Sequence, residues 1–264
     1  MTLTAPPVII LVRPQLGENI GAAARAMMNC GLTDLRLVAP RDGWPNKAAL
    51  PMAAGGASII ESATIHASIA EAAHDLTFLA ALSARRRDMP VRTSDPRGVT
   101  ADLLRHGGKA GLVFGPEASG LDNEDVVRAD CLVTADLNPD YPSLNLAQAV
   151  MLMAWEWRAT ANANANANAN ANANRHVGSG TGPRSEAGEA ADDMATILER
   201  DRFHERLEAE LDSGGFFISP EMAPAVKRNL RALFGRARPT SQEIRTLHGV
   251  IQALTKKRDR SKSG

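Results

Sequence analysis

The sequence predicts an α/β fold with a parallel sheet, followed by a smaller all-helical extension, and three observations predict it. The apolar run Val8 to Val12 and candidate strands at Leu35 to Val38, Leu76 to Leu82, Gly111 to Phe114 and Cys131 to Val133 alternate with helix-length segments. Polar, glycine-containing stretches follow several of these runs. A bare Ala-Asn alternation then separates them from three segments whose Leu, Ile, Val and Phe recur at helical spacing.

Taken in order, Val8 to Val12 is wholly apolar and suits a strand covered on both faces. Ile20 to Cys30 is rich in Ala and Met and reads as a helix. Ile69 to His74 and Thr100 to His106 are helix-length, the second with Thr100 placed as an N-cap. Leu144 to Arg158 reads as a closing helix, with Leu144, Ala147, Val150, Met151 and Ala154 on one stripe and a bulky Trp155/Trp157 end. In Ala161 to Asn174 the period of two is formal only, because Asn is depleted in strands and Ala offers little to pack, so a disordered linker is expected. Asp192 to Leu211, Pro220 to Phe234 and Ser241 to Lys257 are the helices of the extension, with Ser219-Pro220 and Thr240-Ser241 as helix starts. The expected division is a first domain over 1–159, a linker over 160–190 and a helical extension over 191–264. Such an extension has a limited core and is expected to lean on the first domain, a second subunit or RNA.

With 264 residues, 44% of them hydrophobic, the chain can bury a proper core. It has no apolar run long enough to span a bilayer and no start resembling a secretory leader, so a cytoplasmic protein without a membrane partner is expected. Cys30 and Cys131 have no second ligand at metal spacing and read as buried thiols. His66, His74, His106, His176, His204 and His248 follow no metal spacing either, so no metal is expected. The formal net charge of zero hides an uneven distribution. From Glu221 to Gly264 stand Lys227, Arg228, Arg231, Arg236, Arg238, Arg245, Lys256, Lys257, Arg258, Arg260 and Lys262 against Glu221, Glu243 and Asp259, and Arg85, Arg86, Arg87, Arg92 and Arg97 form a second cluster. Two separate basic runs favour a polyanionic partner.

Three polar stretches each lie between a strand and a helix, where open α/β sheets place ligands. They are Gly17-Glu18-Asn19-Ile20-Gly21-Ala22-Ala23-Ala24-Arg25, Phe114-Gly115-Pro116-Glu117-Ala118-Ser119-Gly120-Leu121 and Asn138-Pro139-Asp140-Tyr141-Pro142-Ser143-Leu144-Asn145-Leu146. The first lacks the three-glycine spacing that admits a pyrophosphate, which argues against a nicotinamide dehydrogenase. No Gly-rich loop ends in Lys-Ser/Thr, which excludes a P-loop NTPase.

The order Asn-Ile-Gly-x-x-x-Arg, Phe-Gly-x-Glu-x-x-Gly-Leu and Ser-Leu-Asn-Leu-x-x-Ala resembles the three signature motifs of the SPOUT RNA ribose 2′-O-methyltransferases over residues 8–158. Leu233-Phe234-Gly235-Arg236-Ala237-Arg238-Pro239, with Glu243 and Leu247, resembles the helical extension of the bacterial tRNA cytidine/uridine-2′-O-methyltransferase branch. The resemblance implies that the parallel sheet ends in a C-terminal trefoil knot, which periodicity cannot reveal. It also implies a homodimer that binds S-adenosylmethionine and methylates a ribose 2′-oxygen of a tRNA anticodon-loop cytidine or uridine, at the first loop position. The alternatives are ribosomal RNA as substrate, or an RNA-binding dimer without catalysis.

By the same resemblance the cofactor contacts are Leu82, Ser83, Ala84, Gly115, Ala135, Pro142, Ser143 and Leu144. Leu82 and Pro116 stand where close relatives commonly carry Thr and Arg. Arg25 matches the arginine assigned to catalysis, accompanied by Asn19. Because a guanidinium stays protonated, it suits stabilising an oxyanion or gripping a phosphate better than removing a proton. Ser143 and Asn145 suit both a helix cap and a catalytic role. Glu117 suits both a base and an N-terminal helix position.

Overall fold

The computed structural model describes residues 5–84, 89, 91–106, 108–175 and 194–262, so Arg85, Arg86, Arg87 and linker residues 176–190 lie outside the described residues. The first half is β1 (Val8–Val12), α1 (Gly17–Cys30), β2 (Leu35–Val38), α2 (Ala49–Ala53), a single 3₁₀ turn, α3 (Ala57–Ser62), β3 (Thr64–His66), α4 (Ile69–Ala72) and β4 (Phe78–Leu82). There follow β5 (Thr93–Ser94), α5 (Pro96–His106), β6 (Ala110–Phe114), α6 (Asn123–Val126), β7 (Cys131–Val133) and α7 (Leu146–Arg175). The extension is α8 (Ile197–Ser213), α9 (Ala223–Ala237) and α10 (Ser241–Lys262).

The seven strands form one sheet in the order β3-β2-β1-β6-β4-β7-β5, and every paired neighbour is parallel. β1 is buried at all five positions. Ile9 and Leu11 face the core beneath α1 and α7, while Val8, Ile10 and Val12 face a second core with Ile69, Val126 and Ile197. This is the two-sided burial its uninterrupted apolar run requires. α1 packs so closely on α2 that a Cβ at Gly21 would lie 2.1 Å from the Ala49 carbonyl oxygen. Left-handed Gly31 (φ 77°) ends α1.

Two expectations need correction. Thr100 does not cap its helix: α5 begins at Pro96, and the Thr100 hydroxyl donates to the Arg97 carbonyl at 2.9 Å. Asp95 supplies the start instead, since its carboxylate accepts from Gly98 N at 2.6 Å, and proline is at ease in a first turn. The second correction concerns the Ala-Asn tract, where residues 160–175 continue α7 rather than forming a disordered linker. The apolar stripe has already nucleated the helix, after which Ala adds no penalty and each Asn at most about 0.7 kcal/mol. The two tryptophans part company, Trp157 being buried and Trp155 57% exposed.

The extension closes on a small core of Ala195, Phe203, Ile244 and Ile251, with Phe203 edge-on to Phe234 at 4.7 Å. It leans on the sheet as expected. Ile197 N donates to the Leu76 carbonyl at 2.7 Å, and Ile197 packs in the second core. Arg200 grips the buried Asp130 carboxylate with both Nη atoms, at 2.5 and 3.1 Å. Capping boxes start two of its helices, Thr196 with Glu199 on α8 and Thr240 with Glu243 on α10.

His204 of α8 makes this seam sensitive to acid. Burial foremost, then Arg231, Arg200 and Arg128, push its pKa down to about 3, while Asp201 and Asp130 supply the opposing charge nearby. A histidine in the unfolded chain titrates near about 6.5, so between these values the unfolded chain binds the extra proton. The stability held by neutral His204 is therefore full above about pH 6.5 and is lost as pH falls toward 3, at up to about 1.4 kcal/mol per pH unit. Urea unfolding at pH 7 and pH 5 should show this loss in the wild type and a smaller one in His204→Gln. Equal losses would remove His204 as the cause.

Candidate active site

The loops after β4, β6 and β7, together with the segment entering α7, meet at the carboxyl ends of the strands around a cleft of about 260 Å³. This is where a parallel sheet leaves room for a ligand. Leu82, Ser83 and Ala84 come from the first loop, Gly115 from the second, Ala135 from the third, and Pro142, Ser143 and Leu144 from the last, so all eight expected cofactor positions line the cleft. The loop from Gly115 to Gly120 is a tight turn, with Gly120 N donating to the Pro116 carbonyl at 2.8 Å and Gly120 at φ 68°. A Cβ at Gly115 would lie 2.3 Å from Leu121 N and 2.5 Å from the Gly120 carbonyl carbon, so only glycine fits there without moving backbone.

The first motif joins the cleft through a chain of hydrogen bonds. Glu117 accepts from Asn19 Nδ2 at 2.6 Å through one oxygen and from Gln15 N at 3.1 Å through the other. Asn145 Nδ2 in turn donates to Asn19 Oδ1 at 3.0 Å. One amide thus ties together the three motif loops, and the sequence of donors fixes which way it faces. With one hydrogen bond to each oxygen, Glu117 acts as a strap between loops. Asn145 also serves as the cap, accepting from Ala147 N at 2.9 Å, while its own N–H donates to Gln148 Oε1 at 3.0 Å. Ser143 is exposed on the lining.

Arg25 is placed differently. It stands on the exposed side of α1 and is absent from the residues that line the cleft of its own chain. The sequence reading did not find Gln15 or Gln148. Gln148 carried a signal, being three residues after Asn145 in the capping-box spacing, whereas Gln15 contributes only a backbone N–H that no side-chain pattern announces. Leu137, Leu152 and Pro96 complete the walls.

Among the described residues that line the cleft, the side chains are mostly aliphatic and Glu117 is the one that carries a charge. An adenosine carrying a cationic sulfonium fits such a site: its base suits the apolar walls, and its charge is of opposite sign to Glu117. Among the described residues no cluster of His, Cys, Asp and Glu could hold a metal ion. None of the described helices is long and apolar enough to cross a membrane.

Residues 6–155 match the model of the SpoU rRNA Methylase family, and the chain belongs to that family. Within it the similarity is closer to one kind of member: residues 199–263 match the model described as the tRNA methyltransferase TrmJ C-terminal domain. A Klebsiella pneumoniae protein named tRNA (cytidine/uridine-2'-O-)-methyltransferase TrmJ is 36% identical over 248 residues, covering 93% of this chain and 95% of the relative. The Pectobacterium atrosepticum protein of the same name is 34% identical, covering 95% and 97%. Among solved structures, TrmJ from Z. mobilis ZM4 superposes with a TM-score of 0.81 at 39% identity, covering 95% of this chain and all of that one. A probable methylase family protein from Haemophilus influenzae gives 0.61 at 29% identity, covering 98% and 99%.

Proposed function

We propose that this protein transfers a methyl group from S-adenosylmethionine to the ribose 2′-oxygen of a cytidine or uridine at the first position of a tRNA anticodon loop, in the cytoplasm and as a homodimer. The observation that carries the reading is the meeting of three motif loops around one apolar cleft, with Asn19 bonded to both of the others. Relatives covering nearly the whole chain are named for this reaction. The trefoil threading and the division into a catalytic domain and an RNA-binding extension belong to the same reading. They are supported by the family match and by the basic run from Lys227 onward.

Bound S-adenosylmethionine supplies an electrophilic methyl group on a cationic sulfonium. The chain's own task is to bring a 2′-hydroxyl into line with it and to steady the oxygen as negative charge develops. Leu82, Ala135 and Leu144 exclude water from the donor side, and the Asn19 amide, locked by Glu117 and Asn145, is preorganised at the rim. Arg25 contributes a permanent positive charge for the attacking oxygen or the adjoining phosphate.

Its place on the exposed face of α1 supports the dimer in this reading, with Arg25 serving a cleft formed with a second copy. Met28 on the same helix, Leu50 and Met52 on or beside the adjoining α2, and Trp155 on α7 are exposed large apolar side chains that such an interface would cover. Transfer of labelled methyl to tRNA is expected to fall at least about 100-fold in Arg25→Ala, in the range for losing one oxyanion donor, while S-adenosylmethionine binding is retained. Unchanged transfer would eliminate this role for Arg25, and a monomer in solution scattering would eliminate the shared site.

A further inference from the structure

Where α8 meets the sheet, four polar atoms are buried without a hydrogen-bond partner: Arg128 Nε, Arg200 Nε, Asp201 Oδ2 and His204 Nδ1. Only one other side-chain atom among the described residues shares that condition, so the concentration at one place calls for a cause. All four residues line the same small cavity of about 20 Å³, whose remaining walls are Val127, Ala129, Ile197, Gly235 and Arg231, the last engaged by Glu208 and Asp201. The Arg128 Nε to Asp201 Oδ2 separation is 3.6 Å, an ion pair beyond direct hydrogen-bond length.

We propose that this cavity is a binding site for a single water molecule, which accepts from the N–H groups of Arg128 and Arg200 and donates to Asp201 Oδ2 and His204 Nδ1. The count of donors and acceptors selects the ligand. A guanidinium N–H can only donate, an ionised carboxylate oxygen can only accept, and an imidazole nitrogen without its proton can only accept. With the His204 proton on Nε2, two donors and two acceptors belong to residues lining one cavity, and that is the full complement of one water. Chloride would satisfy the two guanidinium groups but would face the Asp201 carboxylate and the His204 lone pair. A sodium ion would take those two acceptors and meet two N–H groups. The volume of about 20 Å³ suits a molecule of this size, for which about 10–15 Å³ is needed.

The site joins two parts of the chain. Arg128 follows α6 on the sheet side, while Arg200, Asp201 and His204 project from α8. The water completes a seam that also contains the Arg200–Asp130 pair, and it fixes His204 as the neutral tautomer with its proton on Nε2. The inference is independent of the methyl-transfer reading, since it uses no residue of the cleft.

A high-resolution crystal structure of the full chain tests it. The expected result is one isolated density peak within about 2.7–3.2 Å of all four atoms, silent in anomalous maps after a bromide soak. No peak there, or an anomalous bromide peak, would overturn the proposal. Long-range ¹⁵N–¹H correlation of His204 gives a second reading in solution: the neutral Nε2–H tautomer is expected at pH 7, and an Nδ1–H or doubly protonated ring would contradict the four-bond arrangement.

Discussion

Gly115→Ala is expected to weaken S-adenosylmethionine binding on the order of 100-fold, equivalent to about 2.7 kcal/mol. The added Cβ meets backbone, Leu121 N at 2.3 Å and the Gly120 carbonyl carbon at 2.5 Å, and no side-chain rotation can relieve it. The turn must open, and the opening displaces the cleft wall as well as Glu117, the strap that orients Asn19. The sheet is not involved, because Gly115 lies beyond the end of β6. Calorimetric titration should therefore show lost affinity in a protein whose circular dichroism is unchanged. An affinity within a few-fold of wild type would mean that the donor rests elsewhere.

The second large effect is on stability. Asp130 is 3% exposed at its side chain, and it accepts from Leu79 N at 2.9 Å in addition to both Arg200 nitrogens. Asp130→Ala strands a buried guanidinium and a buried backbone N–H together, and breaking such a pair from one side costs about 3–5 kcal/mol. For a chain of this size the expected fall in Tm is on the order of 10 °C. Replacing both partners, as Asp130→Leu with Arg200→Met, should recover most of the loss, since an apolar pair leaves no buried charge behind. A single variant as stable as wild type would show that bulk solvent screens the pair.

The strands that were legible in the sequence are those buried on both faces, such as β1 and β2, whose limits match the segments read as strands. β3 and β5 lie at the two edges of the sheet, are short and partly exposed, and carry Thr, His and Ser, so no run of apolar residues announces them. The loops around the cleft were legible as ligand-bearing loops because they lie between strands and helices and carry glycine, while the residues assigned to the cofactor came from the family resemblance. The strap was not: Glu117, Asn19 and Gln15 are far apart along the chain, and only the fold brings them together. Arg25 was singled out by the family resemblance, and the sequence did not say that it stands on the exposed face of α1, outside the lining of its own chain's cleft. The Ala-Asn tract misled for a different reason, as its composition describes an isolated segment and not one grown from a packed helix.

The central claim is that this cleft delivers a methyl group to a ribose oxygen of tRNA. Unmodified tRNA incubated with the protein and S-adenosylmethionine, digested and read by mass spectrometry, tests it most directly. The account predicts one added methyl on the ribose of the cytidine or uridine that opens the anticodon loop. A methyl on a base, or on ribosomal RNA in preference to tRNA, or no transfer by a protein that binds both substrates, would contradict it.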